Sequence, residues 1–145
     1  AGLSAQGKTV VLTNGVFDLL HVGHIRYLED ARSRGDFLVV AVNSDSSTEK
    51  VKGKGHPLTP AAERMEVLAG MWFVDYVTSF DEPTADKLLQ QLKPAIYAKG
   101  TDRTLKTLPE KDTVKELDIK VVFVGDKKSH SSSKLIQKIK RRKFD

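Results

Sequence analysis

The sequence predicts an α/β fold: a Rossmann-like three-layer α/β/α arrangement around a five-stranded parallel sheet. Five short apolar segments, several of them β-branched, are separated by segments in which apolar residues recur at helical spacing. Strands and helices alternate strictly along the chain, which favours a parallel sheet covered by helices on both faces. The chain has 145 residues, the length of one ordinary domain.

The first three elements have the clearest patterns. Residues 9–13 and 37–42 are continuous apolar, β-branched runs, typical of strands buried on both faces. Between them, Ile25, Leu28 and Ala31 recur at helical spacing, and an Arg-Gly pair follows that can end the helix.

The middle of the chain combines an irregular segment with a second helix. Residues 44–58 show no apolar periodicity and are predicted to form a long loop, which in a compact domain is often functional. Thr59 is the expected N-cap of the next helix, with Pro60 at its first position. A weaker strand pattern follows at 76–78.

The last five elements continue the alternation. Leucines at helical spacing predict a helix over 84–92, which ends before a proline. Residues 95–98 and 121–124 are predicted strands. A short helix is predicted between them over 108–117, and a final helix over 133–142.

Composition narrows the possible functions. The net charge of +5 and the pI near 9.4 allow an anionic ligand without requiring nucleic acid. The absence of cysteine excludes disulfides, thiolate metal sites and a cysteine nucleophile. No apolar run reaches the roughly 18 residues of a membrane span, and residues 1–7 lack the pattern of a secretory signal. We expect one cytoplasmic domain over 1–145, with a flexible start at 1–7.

The segment after the first strand has the features of a phosphate site. It contains Gly15, where the backbone can approach a ligand, and it leads into the start of a helix, whose free N–H groups favour anions. His21 and His24 are three residues apart and share a helix face, so their N–H groups can stabilise phosphate charge together. Two alternatives stay open: histidines without a function, or a metal site with Asp18 as the nearest carboxylate.

Three further clusters follow other strands. Lysines alternate through 50–54 after the second strand, where the alternative is a solvated loop. Residues 99–102 follow the fourth strand, and the serine-rich segment 129–133 follows the fifth and opens the last helix. Because the carboxyl ends of parallel strands lie at one edge of a sheet, these clusters should converge there. The sequence therefore predicts a phosphate-handling α/β domain.

Asn14 to His24 resembles the His-x-Gly-His signature of the nucleotidyltransferase superfamily, in its cytidylyltransferase-like branch. Ser131 to Ile136 is similar to the Ser-Thr-Thr-x-Ile-Ile signature of that branch. The resemblance extends from about residue 8 to residue 139 and includes Asn43-Ser44-Asp45, Lys52-Gly53, Arg64 and Lys99-Gly100-Thr101-Asp102. Within the branch, the sequence most resembles adenylyltransferase domains that act on D-glycero-β-D-manno-heptose 1-phosphate.

The resemblance implies that ATP and a sugar 1-phosphate give an ADP-sugar and pyrophosphate, with Mg²⁺ bound mainly through the nucleotide phosphates. It implies that His21, His24 and Lys52 are catalytic, and that Asp45 and Arg64 contact the substrate. The expected nucleotide-binding residues are Asn14, Gly15, Val16, Phe17, Asp18, Gly23, Lys99, Gly100, Asp102, Ser131, Ser132 and Ser133. No metal ligand from the protein is expected, and the chain is expected to form a homodimer.

Other functions stay open on the same residues. Glycerol-3-phosphate cytidylyltransferases and archaeal FAD synthetases share the scaffold, and a nucleotide sensor would use the same pocket. A nucleic-acid-binding domain is favoured only by the pI and by the basic tail at 138–143. Aromatic residues make up 7% of the chain and none alternates with that tail, which disfavours a base-stacking platform. We therefore expect small-molecule partners, with neither nucleic acid nor membrane among them.

Overall fold

A computed structural model describes residues 6–126 and 131–142 of the chain. Five strands form one parallel sheet with the order β3-β2-β1-β4-β5, which confirms the predicted fold class. The strands are β1 (Val10–Gly15), β2 (Phe37–Asn43), β3 (Tyr76–Phe80), β4 (Ile96–Gly100) and β5 (Lys120–Val124). The expected flexible start, apart from residues 6 and 7, and positions 129 and 130 of the serine-rich segment lie outside the described residues.

Six helices are present in the described part of the chain. They are α1 (Val22–Arg32), α2 (Asp45–Lys52), α3 (Ala61–Ala69), α4 (Asp86–Leu92), α5 (Lys111–Glu116) and α6 (Ser132–Arg141). None of these helices is long and apolar enough to cross a membrane.

Alternate residues of the central strands enter two separate cores. Val11 of β1 packs in a core with Leu28 of α1 and Leu68 of α3. Its neighbour Leu12 packs in the other core, with Leu89 of α4. Because successive side chains of a strand point to opposite faces, the sheet is covered on both sides and forms the middle of three layers.

The segment 44–58, predicted as a long loop, contains helix α2 instead, so that prediction is wrong. Ser44 is the N-cap, and its hydroxyl accepts a hydrogen bond from the backbone N–H of Ser47 at 3.2 Å. The buried residues of α2 are Ser47 and Thr48, whose hydroxyls donate to backbone carbonyl groups. Because the buried face is polar, no apolar periodicity marks this helix in the sequence.

Helix α3 begins one residue later than predicted. Pro60, expected at the first helical position, is the N-cap, and Ala61 is the first residue of the helix. Thr59, the expected N-cap, instead donates its backbone N–H to Asp18 Oδ1 at 2.9 Å and accepts a hydrogen bond from Arg64 Nε at 2.8 Å. Thr59 therefore connects the helix start to the loop that follows β1.

Candidate active site

The chain leaves the two adjacent central strands, β1 and β4, toward opposite sides of the sheet, which creates a crevice at their carboxyl ends. A cavity of about 430 Å³ opens at this edge. All residues expected to be catalytic or to bind the nucleotide line it, whereas Asp45 and Arg64 do not. The convergence of clusters from separate parts of the sequence is thus present in the structure.

Two histidines cap the start of helix α1. His21 is the N-cap, and its Nδ1 accepts a hydrogen bond from the backbone N–H of Gly23 at 3.1 Å. His24 Nδ1 accepts from the backbone N–H of His21 at 3.3 Å, and the two ring centroids are 4.1 Å apart. A neutral imidazole whose Nδ1 accepts carries its proton on Nε2. This reciprocal cap therefore fixes both histidines as Nε2–H donors beside the positive end of a helix.

Phe17 packs beside His24, and its own backbone conformation is unusual. Its φ angle is +52°, a left-handed region that bulky residues rarely adopt, and its side chain is buried. The Phe17 ring centroid lies 5.6 Å from that of His24. A Cβ atom at Gly15 would meet the Phe17 ring at 3.0 Å, so a larger residue there would force the ring to shift. The turn after β1 therefore depends on Gly15 for close packing behind the histidine cap.

Arg64 holds this turn from behind the cavity. Its side chain is 1% exposed, and its Nη1 donates to the carbonyl groups of Val16 at 2.7 Å and Asn43 at 2.9 Å. Its Nε donates to the carbonyl of Thr59, and its Nη2 pairs with Asp45 Oδ1 at 2.8 Å. The guanidinium thus joins the ends of β1 and β2 to the starts of α2 and α3. The structure places Arg64 and Asp45 outside the cavity lining in supporting positions, and their contact with the substrate stays a prediction.

Asp18 connects the same turn to the segment before α3. Its two carboxylate oxygens accept hydrogen bonds from the backbone N–H groups of Leu58, at 2.7 Å, and Thr59, at 2.9 Å. Its side chain is 7% exposed. Within residues 6–126 and 131–142, no group of three or more His, Asp or Glu side chains could hold a metal ion. Because both of its oxygens accept hydrogen bonds from residues 58 and 59, the carboxylate of Asp18 positions the loop.

The lysines of the predicted loop separate into two classes. Lys52 is the last residue of α2 and lines the cavity. Gly53 ends the helix directly afterwards with a φ angle of +97°, a conformation that favours glycine. Lys50 and Lys54 are exposed and do not line the cavity. The helix end thus brings one lysine of the three to the cavity.

Asn14 is oriented by two donors at the base of the cavity. Its Oδ1 accepts hydrogen bonds from the Tyr97 hydroxyl at 2.6 Å and from Lys99 Nζ at 3.2 Å. Burial and the nearby negative charge of Glu110 raise the pKa of Tyr97, so its hydroxyl stays protonated and donates. With its oxygen engaged in this way, the Asn14 amide presents its N–H₂ group as the donor of the side chain.

The start of α6 forms another wall of the cavity. The Ser131 hydroxyl is the N-cap and accepts a hydrogen bond from the backbone N–H of Lys134 at 3.1 Å. The Ser132 hydroxyl donates to the carbonyl of Leu19, which joins α6 to the turn that carries the histidines. Ser133 also lines the cavity. Two helix starts, those of α1 and α6, therefore face one cavity with their positive ends.

One wall of the cavity was not anticipated from the sequence. It is formed by the connection from β3 to α4, with Pro83 and Thr84, and by the connection from β4 to α5, with Pro109 and Glu110. Glu110 is 3% exposed. In the sequence it is one of 19 acidic residues with no neighbouring motif, so nothing distinguishes it from a surface carboxylate.

Comparison with solved structures places this architecture among known proteins. The lipopolysaccharide core biosynthesis protein from Thermoplasma volcanium is 30% identical, with a TM-score of 0.70, over 83% of this chain and 99% of the other. Pantothenate synthetase from Thermus thermophilus matches with a TM-score of 0.56 at 20% identity, over 80% of this chain and 55% of the other. The second likeness is one of fold alone.

The chain is also similar to known sequences and matches a family model. Bifunctional protein HldE from Geobacter metallireducens is 45% identical, and its counterpart from Azotobacter vinelandii is 43% identical, each over 94% of this chain. The chain spans 28% and 29% of the length of these two relatives. The Cytidylyltransferase-like family model matches residues 12–142. This match covers both signature segments and every described wall of the cavity, and the chain accordingly belongs to the cytidylyltransferase-like family of nucleotidyltransferases.

Proposed function

We propose that the chain transfers AMP from ATP to D-glycero-β-D-manno-heptose 1-phosphate, giving ADP-heptose and pyrophosphate. The observation that carries this proposal is the lining of one cavity by His21, His24, Lys52 and the start of α6. Cations, oriented imidazole donors and two helix starts are together suited to a triphosphate. The signature segments and the lipopolysaccharide core biosynthesis protein at 30% identity favour a sugar phosphate as acceptor.

The reaction needs no covalent intermediate on the enzyme. A phosphate oxygen of the acceptor attacks the α-phosphorus of ATP in line and forms a new P–O bond. The bond from the α-phosphorus to the bridging oxygen breaks, and the electron pair leaves with pyrophosphate. Because the phosphate monoester is already a nucleophile, the protein contributes position and charge stabilisation.

Each group of the cavity has a proposed part in this transfer. The Nε2–H groups of His21 and His24 donate to the triphosphate and stabilise the charge that develops at the α-phosphoryl group. Lys52 neutralises the α-phosphate and the incoming acceptor phosphate. The hydroxyl and backbone N–H groups at 131–133 hold the β- and γ-phosphates. The residues at the ends of β1 and β4 shape the nucleoside pocket.

We propose that Mg²⁺ enters with ATP as part of the substrate. The nearest carboxylate to the histidines in sequence, Asp18, accepts two backbone hydrogen bonds and is committed to holding the loop. The phosphate oxygens of the nucleotide are ligands that Mg²⁺ favours. The ion would neutralise phosphate charge, while the side chains of this chain orient the phosphates.

The experiment measures pyrophosphate release by the purified protein with Mg²⁺. It crosses ATP and CTP with heptose 1-phosphate, glycerol 3-phosphate and FMN. We expect release with ATP and heptose 1-phosphate, with ADP-heptose identified by mass spectrometry. Release only with CTP and glycerol 3-phosphate, or only with ATP and FMN, would replace the acceptor proposed above and retain the transfer chemistry. Nucleotide binding with no release from any pair would contradict the proposal and favour a nucleotide sensor.

We also propose that the chain forms a homodimer. Three exposed large side chains come from α3, from the connection after it and from the edge strand β3: Val67, Trp72 and Tyr76, of which Trp72 is 83% exposed. Aromatic residues such as Trp and Tyr are enriched at interfaces relative to the rest of a protein surface. Sedimentation equilibrium should give twice the mass of the chain, and the variant Trp72→Ser should weaken the association. A monomer at micromolar concentration would contradict this proposal.

A further inference from the structure

The wall formed by Pro83, Thr84, Pro109 and Glu110, termed here the acidic wall, contains a carboxylate oxygen without a hydrogen bond. Glu110 is only 3% exposed, and its Oε1 accepts a hydrogen bond from the backbone N–H of Ala85 at 3.0 Å. Its Oε2 is shielded from solvent and has no partner among the described residues. Buried polar atoms are nearly always paired, so an exception in a cavity wall points to a ligand.

The neighbours of Glu110 cannot satisfy this oxygen. Pro83 and Pro109 have no backbone N–H to donate. The hydroxyl of Thr84 donates to Asp86 Oδ2 at 2.6 Å, and that of Thr113 donates to Asp86 Oδ1 at 2.5 Å. The donors that adjoin the acidic wall are thus engaged elsewhere, and Oε2 requires a donor that the cavity receives from outside.

The position and charge of Glu110 indicate which donor this is. Lys52 and the two helix starts that suit phosphates lie on α1, α2 and α6, whereas the acidic wall lies on the connections into α4 and α5. Lys99 and Arg103 also line the cavity, where Lys99 donates to Asn14 and Arg103 donates to the carbonyl of Thr107. A carboxylate repels phosphate and accepts hydrogen bonds from hydroxyl groups. A ligand that satisfies both sides has its phosphate near the cations and hydroxyl groups at the acidic wall.

We propose that Glu110 is a specificity-determining residue whose Oε2 accepts a hydrogen bond from a hydroxyl group of the acceptor sugar. This inference rests on the proposed function, because it assigns the acidic wall to the acceptor in that reaction. Ala85 N–H fixes one carboxylate oxygen, and a small rotation of the carboxylate about that bond opens the other, shielded in this structure, to the sugar hydroxyl. An acceptor without a hydroxyl at that position leaves the buried oxygen unsatisfied and is selected against.

The test compares Glu110→Gln with the wild-type protein and with Glu116→Gln, an exposed residue of α5 that serves as the matched control. The amide oxygen of glutamine can still accept from Ala85 N–H, so the fold is preserved. We expect the KM for heptose 1-phosphate to rise roughly tenfold in Glu110→Gln, the loss of one charge-assisted hydrogen bond. The KM for ATP should stay within twofold, and Glu116→Gln should match the wild type. If Glu110→Gln does not fold, Glu110→Asp, which keeps the charge and shortens the reach, takes its place.

A set of monodeoxy acceptors separates recognition from a structural effect. For one hydroxyl position, the wild type should lose roughly tenfold in kcat/KM when that hydroxyl is removed, and the Glu110 variant should lose less than twofold. Equal losses for both proteins at every position, or an unchanged acceptor KM in the variant, would overturn the inference and leave the proposed function intact. If the wild type transfers no nucleotide to any sugar phosphate, the proposed function fails and this inference fails with it.

Discussion

Two cationic regions lie at the same edge of the sheet and are used in opposite ways. Around Arg64, the guanidinium is 1% exposed and four of its hydrogen bonds go to three carbonyl groups and one carboxylate. In the cavity, Lys52 and the two histidines lie at helix termini that open to the ligand space. The first region maintains the frame, and the second provides charge for phosphates in the function that we propose.

The difference indicates that a cationic residue within a family resemblance can lie outside the cavity and hold the frame around it. Arg64 holds the carbonyl of Val16 at 2.7 Å, directly before the left-handed Phe17. Through that contact it fixes the turn that carries His21 and His24. A positioning residue of this kind differs from a ligand-binding one in its burial and in its number of hydrogen bonds to the protein. Neither property can be read from a sequence.

The largest expected effect is on stability, from Arg64→Met. The substitution removes four hydrogen bonds of the buried guanidinium, and at roughly 1 kcal/mol or slightly less for each the cost is about 3 kcal/mol. Urea denaturation should show that fall in the free energy of unfolding. The matched control is Arg34→Met, which removes a surface pair with Asp30 at 3.2 Å and should cost less than about 0.5 kcal/mol. Equal costs for the two variants would contradict the role of Arg64 in the frame.

The next effect is on catalysis, from His24→Ala. Removing one donor that stabilises developing phosphate charge should lower kcat roughly 10²-fold or more. The lost cap hydrogen bond should cost only about 1 kcal/mol of stability, so the protein stays folded. Steady-state pyrophosphate release and a thermal melt on the same preparation check both statements. A fully active His24→Ala enzyme would remove the histidine cap from the mechanism.

Two lysines of helix α2 separate the effect of position from the effect of charge. Lys52→Ala should lower kcat roughly 10²-fold, because it removes the cation that lines the cavity at the end of α2. Lys50→Ala, two residues away and outside the cavity wall, should stay within twofold of the wild type. Both substitutions exchange a lysine of α2 for alanine, so the ratio of the two kcat values measures the effect of the position of the charge. A similar loss in both variants would indicate a general effect of charge.

The smallest effect is expected from Tyr97→Phe. It removes one of two hydrogen bonds that orient the Asn14 amide, at a cost of about 1 kcal/mol, or roughly fivefold in kcat/KM for ATP. Tyr76→Phe, at a half-exposed position of the edge strand, is the control and should have no effect. An unchanged kcat/KM in Tyr97→Phe would mean that Lys99 alone orients Asn14.

The sequence was sufficient where chemistry and burial leave local patterns. The β-branched runs before Asn14 and Asn43 predict the central strands, and the His-x-Gly-His and serine segments predict the edge at which the cavity opens. It was insufficient for α2, because the buried Ser47 and Thr48 give no apolar period. Glu110 could not be distinguished either, because only the folded chain shows that one of its oxygens lacks a donor.

The most direct test of the two-region account measures the single-turnover rate of AMP transfer and the free energy of unfolding in the same preparations. The proteins are the wild type, His24→Ala, Lys52→Ala and Arg64→Met. We expect the transfer rate and the free energy of unfolding to change independently in these variants. The first two variants should lose rate by roughly 10²-fold with stability kept within about 1 kcal/mol, and Arg64→Met should lose about 3 kcal/mol of stability. An Arg64→Met protein with wild-type stability and an abolished rate would contradict the account, and would place that guanidinium on the substrate.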